Sequence, residues 1–185
     1  MNPDYFKAKT KRWDDYFLSI CNAVASKSPC LSRQIGCLLV RDHSIISTGY
    51  NGPPRGVPHC GADRFEKDMS ISFLNKLKEF EDLYTPSDIR TTCPRRLLGY
   101  KSGEGMEWCP AQHAEENAIS NAARIGASVN GSTLYMNSLV PCNKCLGTLI
   151  NAGIIEIVIT SLTFYDDHTQ FLFDNANIKL REFTK

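Results

Sequence analysis

The stretch from His113 to Cys145 constrains this chain more than any other. It opens with His113-Ala114-Glu115-Glu116-Asn117 and closes on Pro141-Cys142-Asn143-Lys144-Cys145. One imidazole and two thiolates are zinc-preferring donors. Three protein ligands leave tetrahedral Zn²⁺ one open position, the mark of a catalytic rather than a closed structural site. Glu115 stands two residues after the histidine, outside the ligand set, and is free to move protons. A C-x-x-C pair alone suits a structural zinc equally well. The His-x-Glu upstream and Pro141 before the first cysteine weigh against that reading. To converge, these donors need two helix starts facing one point. Cys142 and Cys145 are three apart and share a helix face, whereas His113 and Glu115 reach a common region only from a first turn. The N–H groups exposed at such a turn favour anionic sulfur. A water on the resulting neutral Zn²⁺ shell is acidified from roughly 16 toward about 7.

Hydrophobic periodicity supplies elements around this stretch. Trp13, Tyr16, Phe17, Ile20, Cys21 and Val24 recur at helical spacing and predict a helix over 12–27. Ile35–Arg41 and Ser44–Tyr50 are β-rich runs separated by Asp42-His43, a hairpin. A rigid Gly/Pro loop, Gly49 to Gly56, follows. Asp63–Tyr84 reads as a helix and Thr85–Glu107 as a loop. A long excursion over 57–112, between a strand and the next helix, implies a functional or metal-stapled insertion. Beyond it come a helix His113–Arg124, a strand Ser132–Asn137, a helix Cys142–Ala152 closed by Gly153, and a nearly all-apolar strand Ile154–Thr160. The tail holds a short helix and an edge strand, with Ile178, Leu180 and Phe183 alternating. This order implies an α/β fold, a three-layer α/β/α sandwich on a mixed sheet, as one domain over 1–185.

Composition narrows the function classes. An apolar fraction of 42% and a charged fraction of 22% are those of an ordinary globule. A net charge of +1 favours a small substrate over nucleic acid. Met1–Arg12 is polar and lysine-rich, without a leader's apolar core, and no run reaches membrane-span length. The expected setting is the reducing cytoplasm, where the cysteines serve as core residues or metal ligands rather than disulfides. Asn130-Gly131-Ser132, formally a glycosylation sequon, then reads as a turn. The segment Gly99 to Gly105 lacks the Gly-Lys-Ser/Thr ending of a phosphate loop.

Three further segments join the core motif. Gly49-Tyr50-Asn51-Gly52-x-Pro54-x-Gly56, Ser32-Arg33-x-Ile35-Gly36, and Cys93-Pro94-Arg95 running through Lys101-Ser102-Gly103-Glu104-Gly105 to Cys109-Pro110-Ala111 resemble the deoxycytidylate (dCMP) deaminases, over roughly residues 12–165. The His-x-Glu and Pro-Cys-x-x-Cys pair is the signature of the wider zinc-dependent cytidine/deoxycytidylate deaminase superfamily. The resemblance implies a five-stranded cytidine-deaminase-like sheet and hydrolysis of dCMP to dUMP and ammonia, supplying dUMP for thymidylate synthesis. It makes Glu115 the catalytic acid–base and His113, Cys142 and Cys145 the zinc ligands. It implies that Asn51 meets the sugar, Arg33 and Tyr135 the 5′-phosphate, and the Ala114 backbone and Tyr165 the base. It further implies a homohexamer activated by dCTP and inhibited by dTTP, with Mg²⁺ on the effector nucleotides. The effector region would be Asn51, Gly52, Pro53, Pro54, Arg55 and Gly56, although the same loop also reads as a rigid turn.

Cys30, Cys60, Cys93 and Cys109 lie in or beside loops and pattern as the ligands of a second, structural Zn²⁺ that would tie down the insertion, with His59 as a substitute ligand. Cys21 and Cys37 sit on apolar faces and read as core. Two other functions share the metal motif. A tRNA or other nucleic-acid deaminase needs a basic docking surface, which the tail around Lys179, Arg181 and Lys185 supplies only modestly. A non-enzymatic zinc scaffold leaves Glu115 without a purpose.

Overall fold

The computed structural model describes residues 3–61, 63, 84–101 and 103–184. They divide into two compact units. One is Met1–Ser28, Ile35–Asn51 and His113–Lys185; the other is Pro29–Gln34 and Gly52–Gln112.

The first unit carries a five-stranded sheet. Its strands are β1 (Gly36–Arg41), β2 (Ser44–Tyr50), β3 (Thr133–Met136), β4 (Glu156–Ile159) and β5 (Lys179–Glu182), in the order β2-β1-β3-β4-β5. β1 pairs antiparallel with both β2 and β3, while β3–β4 and β4–β5 are parallel. The expected mixed sheet is therefore present. The hairpin turns on Asp42 and His43 with φ of 51° and 60°, the pair of positive values that a two-residue type I′ turn requires.

Strand alternation divides the core in two. Leu38, Val40, Tyr135, Val158 and Phe183 point to one face, where helix α1 (Pro3–Ala25) lays Phe17 and Cys21 on them. Cys37, Leu39, Leu134, Met136, Ile157 and Ile159 point to the other. There they meet Ala114 and Ala118 of the helix Ala114–Arg124, and Leu146 and Leu149 of the helix Asn143–Asn151. Each buried Val, Leu, Ile, Phe or Met among them contributes about 1.5–3 kcal/mol of apolar burial. Two glycines permit the close layers. A Cβ on Gly36 would collide with the Cys21 carbonyl, and one on Gly49 with the Ala114 carbonyl. α1 begins nine residues before the predicted start at residue 12. Its first turns are exposed on all sides and rich in lysine, so helix propensity forms them without an apolar stripe to betray them.

A polar cluster joins α1 to the last strand. Asp14 is 1% exposed. It accepts from Arg181 Nη1 (2.7 Å) and Nη2 (3.1 Å) and from the Thr184 N–H (2.8 Å). Arg181 Nε also donates to Glu156 (3.1 Å). Burial by itself would raise the Asp14 pKa, but the bonds from Arg181 and Thr184 outweigh it and hold the carboxyl below its ordinary 3.8.

The second unit holds α2 (Pro86–Thr91), α3 (Pro94–Leu97) and a 3₁₀ turn at Met106–Trp108, where the sequence predicts loop. Elements this short span too few residues to show periodicity. α2 is fixed by a capping box: Thr85 N–H donates to Asp88 Oδ2 (2.8 Å) and Asp88 N–H to Thr85 Oγ1 (3.2 Å). Leu97 packs with Tyr84, Ile89, Leu98 and Trp108. The Arg95 guanidinium holds the glycine-rich segment through the Glu104 carbonyl, 2.7 Å away. Of the expected helix Asp63–Tyr84, residues 64–83 lie outside the described residues, and Tyr84 is not helical. No described helix is long and apolar enough to cross a membrane.

Numbering the first unit's remaining helices in chain order, Ala114–Arg124 is α4, Asn143–Asn151 is α5 and Asp167–Asn175 is α6. α6 packs on α5. With α1 on the opposite face, this is the expected α/β/α sandwich.

Candidate metal centre

Both halves of the motif sit at helix starts. His113 is the N-cap of α4 and Cys142 the N-cap of α5. The His113 backbone N–H donates to Glu116 Oε2 at 3.0 Å, and its carbonyl accepts from Asn117 (3.0 Å). α4 is tied to β2 along its length. Asn117 and Asn121 donate to the Tyr50 and Thr48 carbonyls (2.8 and 2.9 Å), and Ser47 donates to the Ala118 carbonyl (2.6 Å). The N-terminus of α5 follows the C-terminal end of β3, the edge at which open α/β sheets place their sites.

His113 Nδ1 lies 3.5 Å from Cys142 Sγ and 3.3 Å from Cys145 Sγ. Tetrahedral Zn²⁺ with ordinary Zn–N and Zn–S bonds sets donors about 3.6–3.8 Å apart. The imidazole and two sulfurs therefore already stand close to the spacing that the ion demands. Among the described residues this is the one group of three or more such donors gathered within 4.8 Å. The hydrogen bond to Cys142 lifts the His113 pKa to about 9, against the effect of burial. The Cys145 thiol, by donating, holds Cys142 down at about 4; that same bond, together with burial, keeps Cys145 protonated well above the ordinary thiol range. Zinc must displace the protons on His113 and Cys145, so it binds more tightly as pH rises.

Glu115 is 6% exposed. Burial raises its pKa to about 7, opposed in part by the positive imidazole. A carboxyl at that value suits a group that both takes and gives a proton near neutrality. Cys37, fully buried and with its own thiol pKa driven up by burial and by Glu115, forms part of that dry surrounding.

Other expected site residues lie as follows. Ala114 is buried at the start of α4. Asn51 is buried at the end of β2, while Gly52–Gly56 belong to the second unit. There Gly52 pairs with Gln112 through two backbone hydrogen bonds. Arg33 is exposed, also in the second unit. Tyr165 is 47% exposed, beyond the C-terminal end of β4. Among the described residues no three of Cys30, Cys60, Cys93 and Cys109 form a donor group within 4.8 Å, though all four belong to the second unit. Cys21 and Cys37 are core, as expected.

Tyr135 requires a correction. Its strand neighbours Leu134 and Met136 face the helices that carry the metal donors. Alternation sends Tyr135 to the α1 face, where it packs 4.5 Å from the Phe17 ring and is 7% exposed. Burial raises its hydroxyl to about 12 beside Arg181 and Asp14. A phosphate at the metal face is out of its reach. Sequence reading missed Glu116, although a glutamate three residues after an N-cap is a legible capping-box signal.

Residues 11–161 match the family described as the cytidine and deoxycytidylate deaminase zinc-binding region. A deoxycytidylate deaminase of Schizosaccharomyces pombe is 31% identical over 183 residues, 99% of this chain and 47% of that protein. The chain thus spans about half the length of this fungal relative. Another, from Mycobacterium phage D29, is 32% identical and covers 79% of this chain and 92% of its own length. Among solved structures, apo dCMP deaminase from the cyanophage S-TIM5 matches with a TM-score of 0.57 and 18% identity, over 98% of this chain and 99% of that one; at that identity the likeness speaks for the fold alone. With the matched region containing both halves of the donor set and the catalytic-type glutamate, the chain belongs to the cytidine and deoxycytidylate deaminase family.

Proposed function

We propose that this protein is a dCMP deaminase, converting dCMP and water to dUMP and ammonia and so supplying dUMP for thymidylate synthesis. The observation that carries the reading is Glu115, a buried carboxyl with its pKa near 7, beside a His/Cys/Cys donor set at zinc spacing. Support for the substrate comes from relatives named deoxycytidylate deaminase, one matching over 99% of this chain. His113, Cys142 and Cys145 would hold Zn²⁺, which when bound supplies the Lewis acidity that makes water a nucleophile near neutral pH. Glu115 accepts the proton of the attacking water. It returns that proton to N3 of the cytosine ring, then carries the remaining proton from the oxygen added at C4 to the amine, so that the C4–N bond breaks, the C4 carbonyl forms and ammonia leaves. The buried walls around Glu115 exclude bulk water, which strengthens each of these transfers.

Substrate identity rests on other residues in this reading. The exposed Arg33 guanidinium meets the 5′-phosphate, for which its planar fork is suited. Asn51 meets the sugar, and the Ala114 backbone and Tyr165 meet the base. The segment Asn51–Gly56 takes dCTP or dTTP with Mg²⁺ in a regulated homohexamer, acting in the cytoplasm. A second zinc would bind Cys30, Cys60, Cys93 and Cys109, a reading supported by their falling within one compact unit. Two zinc ions per chain are expected, and a firm value of one removes that site.

Deamination of cytidine, deoxycytidine, dCMP and dCTP, each with and without added dCTP and dTTP, tests the whole. Turnover confined to dCMP and altered by the triphosphates is expected. Equal turnover of deoxycytidine and dCMP would remove the phosphate contact and the assignment with it.

A further inference from the structure

Helix α4 begins on a residue whose side chain is needed elsewhere. α2 and α6 start in the ordinary way: Thr85 and Asp166 turn a side-chain oxygen onto the N–H of the residue three places on, at 3.2 and 2.7 Å. α4 has His113 at that position, and its imidazole is turned to the thiols of Cys142 and Cys145, at 3.5 and 3.3 Å. The His113 backbone is extended, with φ −72° and ψ 158°, where the chain leaves the Gly52–Gln112 bridge. That bridge takes the N–H of Gln112, not that of His113. The His113 N–H also lies ahead of the helix ladder, so neither element supplies it with an acceptor. Its acceptor is Glu116 Oε2, at 3.0 Å, reaching back from the first turn.

Glu116 holds the N–H of His113, and the Asn117 N–H holds its carbonyl (3.0 Å), so the peptide groups on both sides of its Cα are fixed. That sets the direction in which Cβ carries the ring. The two adjacent glutamates then have separate tasks. Glu115 is buried and moves protons in the reading above, while the half-buried Glu116 braces the backbone of a metal donor. We propose that Glu116 is a positioning residue for the metal centre, which sets the His113 imidazole against the two thiols before Zn²⁺ arrives and so raises affinity for the ion. A donor not held beforehand must be ordered by the ion, and that cost is subtracted from binding. The proposal rests on the reading of His113, Cys142 and Cys145 as zinc ligands.

Competition of the full chain against a chelator of known zinc affinity tests it, with Cys142→Ala, which lacks this centre, as the blank. Glu116→Ala is expected to raise the zinc dissociation constant about 5- to 30-fold, the worth of an ordinary helix cap. Glu116→Gln, whose amide oxygen still accepts from the His113 N–H, stays within about 3-fold of wild type. Glu116→Leu, a good helix former without an acceptor, replaces the alanine variant should that one fail to fold. A merely structural cap would lower the unfolding free energy of the metal-free and zinc-bound chains equally and leave the dissociation constant where it was. That result overturns the positioning role. So does a glutamine variant as weak as the alanine one, which would assign the effect to charge. A wild-type chain that binds no zinc would instead remove the metal centre itself, so the two failures are told apart.

Discussion

The two faces of the sheet are built from the same strands and do different work. On the α4–α5 face, strand residues supply packing and the hydrogen bonds that seat α4, and the metal-donor set comes from two helix starts at the strand ends. On the α1 face the strands supply packing and two members of a charge cluster, the half-buried Arg181 and Glu156, which the buried Asp14 of α1 completes and which fastens β5. Each face has its titratable groups out of water, but with opposite outcomes. Asp14 has charged and N–H partners and its pKa falls; Glu115 is left largely to burial and its pKa rises. A buried acid with full partners serves stability, and one with few serves proton transfer.

The largest expected effect is on the metal face. Cys142→Ala removes a donor, and metal analysis should find the catalytic zinc lost along with all measurable turnover; retained activity would break the assignment of the centre. Next, Glu115→Gln should keep the zinc and reduce kcat about 10²- to 10⁴-fold. In the wild type, Glu115 must be ionised to accept a proton. Its raised pKa makes it neutral below about 7 in the metal-free site, and the charge of bound Zn²⁺ moves that point downward. The kcat/KM profile should therefore fall on the acid side of neutrality, and a profile flat to pH 4.5 counts against Glu115 as the base.

The α1 face should respond in stability and not in chemistry. Asp14→Ala leaves Arg181, still paired with Glu156, and the Thr184 N–H without their buried acceptor, and should cost about 1–3 kcal/mol of unfolding free energy by denaturant titration, with kcat per folded molecule unchanged. The folded pKa of Asp14 lies below its ordinary 3.8. The stability difference should therefore be complete above that pH and close as pH falls through the lower folded value. The smallest effect is expected for Tyr135→Phe: KM for dCMP within about 2-fold, and stability lowered by about 1 kcal/mol or less. A large KM rise there would show that the two faces are not as separate as their packing implies.

The cysteines illustrate how far spacing carries. Cys142 and Cys145 were legible as a pair because a three-residue separation on a helix puts both on one side, whatever surrounds them. Cys30, Cys60, Cys93 and Cys109 are separated by long segments, and whether they converge depends on the path between them, which local pattern does not encode. Among the described residues no three of them gather. α2 and α3 were invisible for a related reason, since helices of six and four residues complete too few turns to display a face.

What the sequence determined by itself is the reactive inventory and the local geometry around it. One imidazole, a thiolate pair and an acid stand at predicted helix starts, between strands whose apolar runs or alternation declare their burial. These are short-range properties, set by residue type and by periods of 2 and 3.6. Tertiary structure alone decided which face each strand residue took, and so removed Tyr135 from the substrate and gave it to α1. It alone brought Ser28 to Asn51 and Asp14 to Arg181, across 23 and 167 residues. Pairings at such distances are selected by how layers close on one another, because a buried polar atom must find its partner wherever the packed chain happens to deliver one.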